Sequence, residues 1–180
     1  MPGRIRPLAE RDRESVSEIL HRAGNFTSEE METALELVDE WLADGEASDY
    51  LTYVYESTGE PGTVKGYVCF GEAPLTQGTY DLYWIAVDNT QQRSGIGKRL
   101  LHFVEQEIER RGGRLLLIET SSQETYGGTI SFYERSGYEI AARIRDYYKP
   151  GDDKLIFCRR RSAGPTVEPA PTGPESSTPR

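Results

Sequence analysis

The sequence predicts a mixed α/β fold, one mostly antiparallel sheet of about seven strands with helices on both faces. Three observations carry that expectation. Runs rich in Val, Tyr, Phe and Thr over residues 50–55, 64–70 and 79–87 are parted only by Gly59-Glu60-Pro61-Gly62 and Pro74-Leu75-Thr76-Gln77-Gly78, the pattern of an antiparallel meander. Downstream, strand and helix patterns alternate, which makes the sheet mixed. The length, 180 residues of which 36% are apolar, suits a single domain of roughly 100–200 residues.

Each element has its own signal. Ile5-Arg6-Pro7 reads as a short first strand, and residues 10–22 set Val16, Ile19 and Leu20 on one helical face. A second helix starts at Ser28, where Thr27 or Ser28 with Glu30 and Met31 beyond supplies a cap. Its apolar set, Met31, Leu35, Val38 and Leu42, recurs at three- and four-residue steps with Leu37 and Trp41 beside it, and Gly45 ends it. Past the meander a helix is expected over 95–110, closed by Gly112-Gly113. The fifth strand, 114–119, carries Leu115-Leu116-Leu117-Ile118, a run that suggests burial on both faces. A helix over 125–136 and strands near 138–145 and 154–160 complete the domain. From Ser162 onward the chain is mostly Ser, Ala, Gly, Thr, Glu and Pro, with Val167 the single aliphatic apart from alanines, so residues 1–161 are expected to fold and 162–180 to form a disordered tail.

Charge and composition narrow the partners. Thirty Asp and Glu against 21 Lys and Arg leave a net charge of −9, a field that repels phosphate backbones and anionic headgroups and gathers cations. Nucleic acid and membrane are therefore not expected partners, and an amine is. Two cysteines, Cys69 and Cys158, are too few for a disulfide framework and read as buried strand residues. No signal peptide follows Met1-Pro2-Gly3-Arg4, and the longest apolar stretch, 82–87, is far short of the roughly 20 residues a membrane helix needs. A soluble, cytoplasmic protein is the expectation. His21 and His102 stand at no ligand spacing, so no metal site is expected.

The chemistry-bearing stretch begins at Trp84. From there a strand runs through a polar loop into a helix whose first turn holds Gly95 and Gly97. The free N–H groups and dipole of such a helix start favour an anion, and the missing Cβ atoms let a phosphate approach the backbone. Arg93 and Lys98 add positive charge. A dinucleotide G-x-G-x-x-G would need glycine at Leu100, and the P-loop pattern would need it at Gln92, so neither motif is present.

Gln92-Arg93-Ser94-Gly95-Ile96-Gly97 resembles the Q/R-x-x-G-x-G/A signature of the GCN5-related N-acetyltransferase (GNAT) superfamily. Phe132-Tyr133-Glu134-Arg135-Ser136-Gly137-Tyr138 resembles that superfamily's F-Y-x-x-x-G-F/Y element, one helix and one strand downstream. The resemblance spans about residues 5–160. It implies a GNAT-like fold in which the strands ending at Val87 and Glu119 splay apart to bind acetyl-CoA. The backbone of Ile85, Ala86 and Val87 would pair with the pantetheine arm, and the loop Gln92, Arg93, Ser94, Gly95, Ile96 and Gly97 with Lys98 would hold the pyrophosphate. Tyr126 stands where relatives often carry an Asn that meets the coenzyme, so a contact to the pantetheine or to the acceptor is expected there.

The activity so implied is transfer of acetyl from acetyl-CoA to a small-molecule or peptide amine, directly within a ternary complex. An alkyl ammonium with a pKa of about 10.4 must lose a proton before it attacks, so a carboxylate base is needed. By the same resemblance Asp81, six residues before Val87, is the first candidate, through a water, and Glu119 the second. Tyr133 is the candidate acid for the departing sulfur, and the Val87 N–H the oxyanion donor. The acceptor is expected against residues 24–45 and 144–153, where Phe26, Trp41, Tyr147 and Tyr148 offer aromatic walls and Glu29, Glu30, Asp152 and Asp153 offer negative charge. A non-catalytic acyl-CoA-binding module is the alternative, and the chain is expected as a monomer or homodimer.

Overall fold

A computed structural model describes residues 3–91 and 94–160. The expected tail over 162–180 and two members of the proposed phosphate loop, Gln92 and Arg93, lie outside the described residues. Strands β1 (Gly3–Pro7), β2 (Leu51–Ser57), β3 (Val64–Glu72), β4 (Thr79–Val87), β5 (Leu115–Ser121), β6 (Glu139–Lys149) and β7 (Asp152–Arg160) form one sheet in the order β1-β2-β3-β4-β5-β7-β6. Among the described residues only the β4–β5 pair is parallel.

Helices α1 (Arg13–Ala23), α2 (Ser28–Asp44), α3 (Ile96–Arg110) and α4 (Gly127–Arg135) flank this sheet. Val16, Ile19 and Leu20 of α1 are buried, as the periodicity predicts. α2 is turned slightly from expectation: its buried line is Ala34, Val38 and Trp41, while Met31, Leu35 and Leu42 are half-buried. Trp41 is no acceptor wall, since its indole N–H donates to the Leu8 carbonyl at 2.9 Å inside the core. The α2 cap is Thr27, reciprocated by Glu30: Glu30 N–H to Thr27 Oγ1 at 3.2 Å, Thr27 N–H to Glu30 Oε2 at 2.7 Å. Two helix starts are shorter than the pattern suggests. A 3-10 turn, Glu10–Asp12, precedes α1, and another, Glu124–Tyr126, precedes α4.

α3 buries Ile96, Leu100, Leu101, Val104 and Ile108, each contributing about 1.5–3 kcal/mol of hydrophobic stabilisation. Its seat on the sheet depends on Gly66. A Cβ there would lie 3.0 Å from the Ala86 carbonyl and 3.2 Å from both Ile96 and Leu100, so the bare backbone lets the first turns of α3 press onto β3 and β4. Neighbouring strand residues face opposite ways. Gly66 and Val87, paired in register, thus meet α3, whereas Trp84 meets Phe26 of the α1–α2 loop edge to face at 5.5 Å.

In the C-terminal half of the sheet, α4 sits on the α3 side, where Tyr133 packs on Phe157 at 5.6 Å. The opposite face is half-open, which overturns two expectations from sequence. β5 is buried at Leu116, Ile118 and Thr120 alone, with Leu115 and Leu117 half-buried and Glu119 exposed, so its apolar run is not enclosed on both faces. Cys158 on β7 is likewise half-buried, whereas Cys69 is fully buried and its thiol pushed up to about 12 by desolvation. All eleven residues of β6 are exposed.

Candidate active site

The centre of the site is a gap between parallel neighbours. β4 and β5 pair from Thr79–Leu115 to Leu82–Ile118, and there the ladder stops although β4 runs on to Val87. The cause is visible on β4's other edge. Trp84 pairs with Cys69 but Leu82 pairs with Phe70, so Tyr83 is an extra residue on β4, a bulge that bends the strand where it leaves β5. Beyond the bulge the Asp88 N–H bonds to the Lys65 carbonyl of β3 at 3.0 Å. Alternation then turns the N–H and C=O groups of Ile85 and Val87 away from β3, into the gap.

α3 begins at the top of this gap, and its start is unlike that of α2. Gly95 is the N-cap, left-handed at φ 83, so it has no side chain to cap the first N–H groups, and no acid stands in the first turn, where Lys98 stands instead. Glu29 and Glu30 fill the corresponding places in α2. A lysine in the first turn opposes the helix dipole, so this start carries positive charge that no acid of its own first turn offsets, the electrostatics that suit an anion. The approach is shaped by Asp88, whose carboxylate accepts from Thr90 N–H at 2.9 Å, and by Ser94, whose hydroxyl donates to the Gln91 carbonyl at 2.5 Å.

Gap and helix start open into one cleft of about 890 Å³. Ile85, Ala86, Val87, Gly95, Ile96, Gly97 and Lys98 line it, together with Tyr133 of α4. Sequence reasoning did not find Asn25, Thr125 or Gly128, which also line it: Asn25 and Thr125 lie in connecting segments without a periodic signal, and Gly128, in the first turn of α4, has no side chain to give one. Tyr133 is buried against Phe132, Tyr138 and Phe157, and this apolar surround raises its phenol, keeping it protonated.

The candidate bases stand at the foot of the gap and do not line the cleft. Asp81 precedes the last paired residue of β4, and Glu119 follows the last paired residue of β5. Burial raises the Asp81 carboxyl, the Glu119 charge raises it further and the Lys154 charge opposes both. Glu119 is ion-paired with Lys154 of β7. Two expected acidic groups are already engaged. Asp152 accepts from Ser121 at 2.5 Å and Gln123 at 2.8 Å, and Asp153 pairs with Arg143, so neither is placed to draw in a cation. Tyr126 is also absent from the cleft lining: its hydroxyl donates to Glu30 at 3.1 Å, joining the loop after β5 to the start of α2.

Residues 48–140 match the family model described as an acetyltransferase (GNAT) domain. The chain belongs to the GNAT family. A crystal structure of a GNAT-family protein from Desulfovibrio desulfuricans superimposes with a TM-score of 0.84 at 40% identity, over 88% of this chain and 99% of that one. In curated proteins the similarity is more local. The ribosomal protein bS18-alanine N-acetyltransferase of Escherichia coli K12 is 36% identical over 73 residues, covering 41% of this chain and 48% of that protein. The S-(2-succino)cysteine N-acetyltransferase of Bacillus subtilis is 30% identical over 87 residues, covering 48% and 53%. The chain thus spans about half the length of the curated relatives it matches. Within this GNAT domain, the parting strands and the uncapped α3 meet in one cleft, and the sheet carries both candidate carboxylates at its foot.

Proposed function

We propose that this GNAT protein is an acetyl-CoA-dependent N-acetyltransferase that transfers acetyl directly to the primary amine of a small molecule or peptide. The observation that carries the reading is the coincidence, in one cleft, of an unpaired parallel strand edge and an uncapped, lysine-bearing helix start. These fit the two ends of one ligand: an amide-containing arm that adds to the strand, and a pyrophosphate that meets the helix. Acetyl-CoA supplies the activated thioester.

The chain's own groups then divide the work. Asp81 accepts the amine proton, directly or through a water, and burial makes it a stronger base than an exposed aspartate. Glu119 is the second candidate, its carboxylate first having to leave Lys154. The Val87 N–H, turned into the gap, donates to the oxygen on which charge develops. Tyr133 holds a proton for the departing sulfur. Ser94, with Gln92 and Arg93 from outside the described residues, belongs to the phosphate-holding loop. Tyr126, bonded to Glu30, acts on the acceptor side of the cleft. The same reading places the protein in the cytoplasm, acting as a monomer or homodimer without nucleic acid or membrane; two free cysteines support a reducing compartment.

Calorimetric titration with acetyl-CoA tests the reading. Binding by the wild type and loss in Gly97→Trp, whose indole would fill the cleft beside Phe132 and Val87, is the expected result. Release of free thiol with an amine panel completes it. Cofactor binding without thiol release from any amine would leave an acyl-CoA-binding module instead.

A further inference from the structure

We infer that Lys154, with Tyr147 and Tyr148 around it, seats the carboxylate of a free α-amino acid whose amine is thereby presented to Asp81 and Glu119. The inference rests on the acetyl-transfer reading for what happens to that amine, and on the geometry alone for where the carboxylate sits.

Four strands bring these groups to the foot of the gap. Asp81 comes from β4, Glu119 from β5, Lys154 from β7, and Tyr147 and Tyr148 from β6. Lys154 pairs in register with Ser121 of β5 on one side and Ile144 of β6 on the other, which sets it diagonally from Glu119 on the half-open face. Its side chain is only 12% exposed. A cation so far withdrawn from water loses much of its hydration, but the Glu119 carboxylate with the Tyr147 and Tyr148 phenols more than offsets that loss and raises the ammonium, so Lys154 stays charged at neutral pH. An ammonium donates three hydrogen bonds. Glu119 takes one, the Tyr147 ring lies 4.6 Å from Nζ, and on this inference the ligand carboxylate takes another.

The order of charges selects the ligand class. Along this face Asp81 and Glu119 are negative and Lys154 is positive, while Asp152 is engaged with Ser121 and Gln123. An α-amino acid presents the mirror of that pattern, an ammonium two bonds from a carboxylate. A simple cationic amine matches the acids but meets the lysine's repulsion. A zwitterion carries no net charge, so the protein's overall −9 neither draws it in nor excludes it, and the local pattern decides. The Tyr126 hydroxyl on Glu30 bounds the site on the α2 side.

The test compares the twenty common L-amino acids with their decarboxylated amines, by thiol release from acetyl-CoA and by calorimetric titration into protein saturated with coenzyme A. In the wild type at least one amino acid is expected to exceed its decarboxylated partner by about tenfold or more in kcat/KM. Lys154→Met should bring the pair to within about twofold and weaken amino-acid binding by about tenfold, with coenzyme A affinity unchanged; Lys154→Arg should retain most of the preference. Tyr147→Leu, which leaves both charges in place, gives a second reading if Lys154→Met does not fold: KM for the amino acid rises several-fold while KM for acetyl-CoA holds. Equal use of amines with and without the carboxylate, or binding of none of the twenty, overturns the inference and leaves the acetyltransferase reading intact. Lys154-dependent binding of an amino acid without thiol release does the reverse.

Discussion

Asp81 is where acid–base chemistry and stability pull against each other. Its carboxyl is raised by burial and by Glu119, so the charged form is the one the fold disfavours. The favourable contribution is complete below the ordinary aspartate value of 3.8 and is lost as pH rises through the higher folded value. Asp81→Asn should therefore raise Tm at neutral pH, and the gain should shrink toward zero as the wild type is titrated below the aspartate range. The same change should lower kcat/KM by roughly 10²- to 10⁴-fold, the usual worth of a positioned base. In the wild type the acid limb of kcat/KM should fall at a pH above 3.8. A rate profile flat through that region would remove Asp81 from the chemistry. Tyr133→Phe keeps the packing on Tyr138 and Phe157 and removes only the proton; a fall in kcat with Tm nearly unchanged is expected from stopped-flow and melting measurements.

Between residue and molecule, what matters is how elements are held at the right spacing. Gly66 lets α3 approach the sheet beside Val87, so Gly66→Ala should cost about 1–3 kcal/mol in urea unfolding through overpacking. It should also weaken acetyl-CoA binding, because the helix start is what moves. Tyr126→Phe removes a hydrogen bond to the carboxylate that reciprocates the α2 cap and should cost about 1 kcal/mol. Much of this architecture was legible in the sequence. Runs rich in Val, Tyr, Phe and Thr between Gly- and Pro-bearing breaks marked β2, β3 and β4, and Gly95 and Gly97 marked the start of α3, because both signals are local. The Tyr83 bulge was not legible, since it is a mismatch between two strands, and neither strand shows it alone. Nor were the Glu119–Lys154 pair and the Tyr126–Glu30 bond, whose partners lie 35 and 96 residues apart. The α2 face was misjudged because Ala34 packs at the core yet contributes little to an apolar count.

At the scale of the whole molecule the sheet is unevenly clothed. Helices press on both faces of β3 and β4, whereas β6 is exposed along its length and β5 and β7 are half-open on one face. Native-state hydrogen exchange should show the gradient, with amides of β3 protected to near the global unfolding free energy and those of β6 opening well below it. Acetyl-CoA should stiffen the middle of this gradient. At a concentration 100 times its Kd it adds about 2.7 kcal/mol, or roughly 5–10 °C in Tm for a chain of this size. An unchanged melting curve at that saturation would mean that the ligand meets little of the folded cleft.

The extra residue at Tyr83 is also a spacer. Leu82 stays opposite Phe70 and Trp84 opposite Cys69, so both ends of β4 keep their partners on β3 while the strand gains one residue of length at the point where it parts from β5. Deleting Tyr83 would leave those pairs, and the edges that Ile85 and Val87 turn to the gap, as they are, but would take out the bend. Such a deletion removes one phenol ring, yet it should let the parallel ladder run on past Leu82–Ile118 and close the cleft from its foot upward.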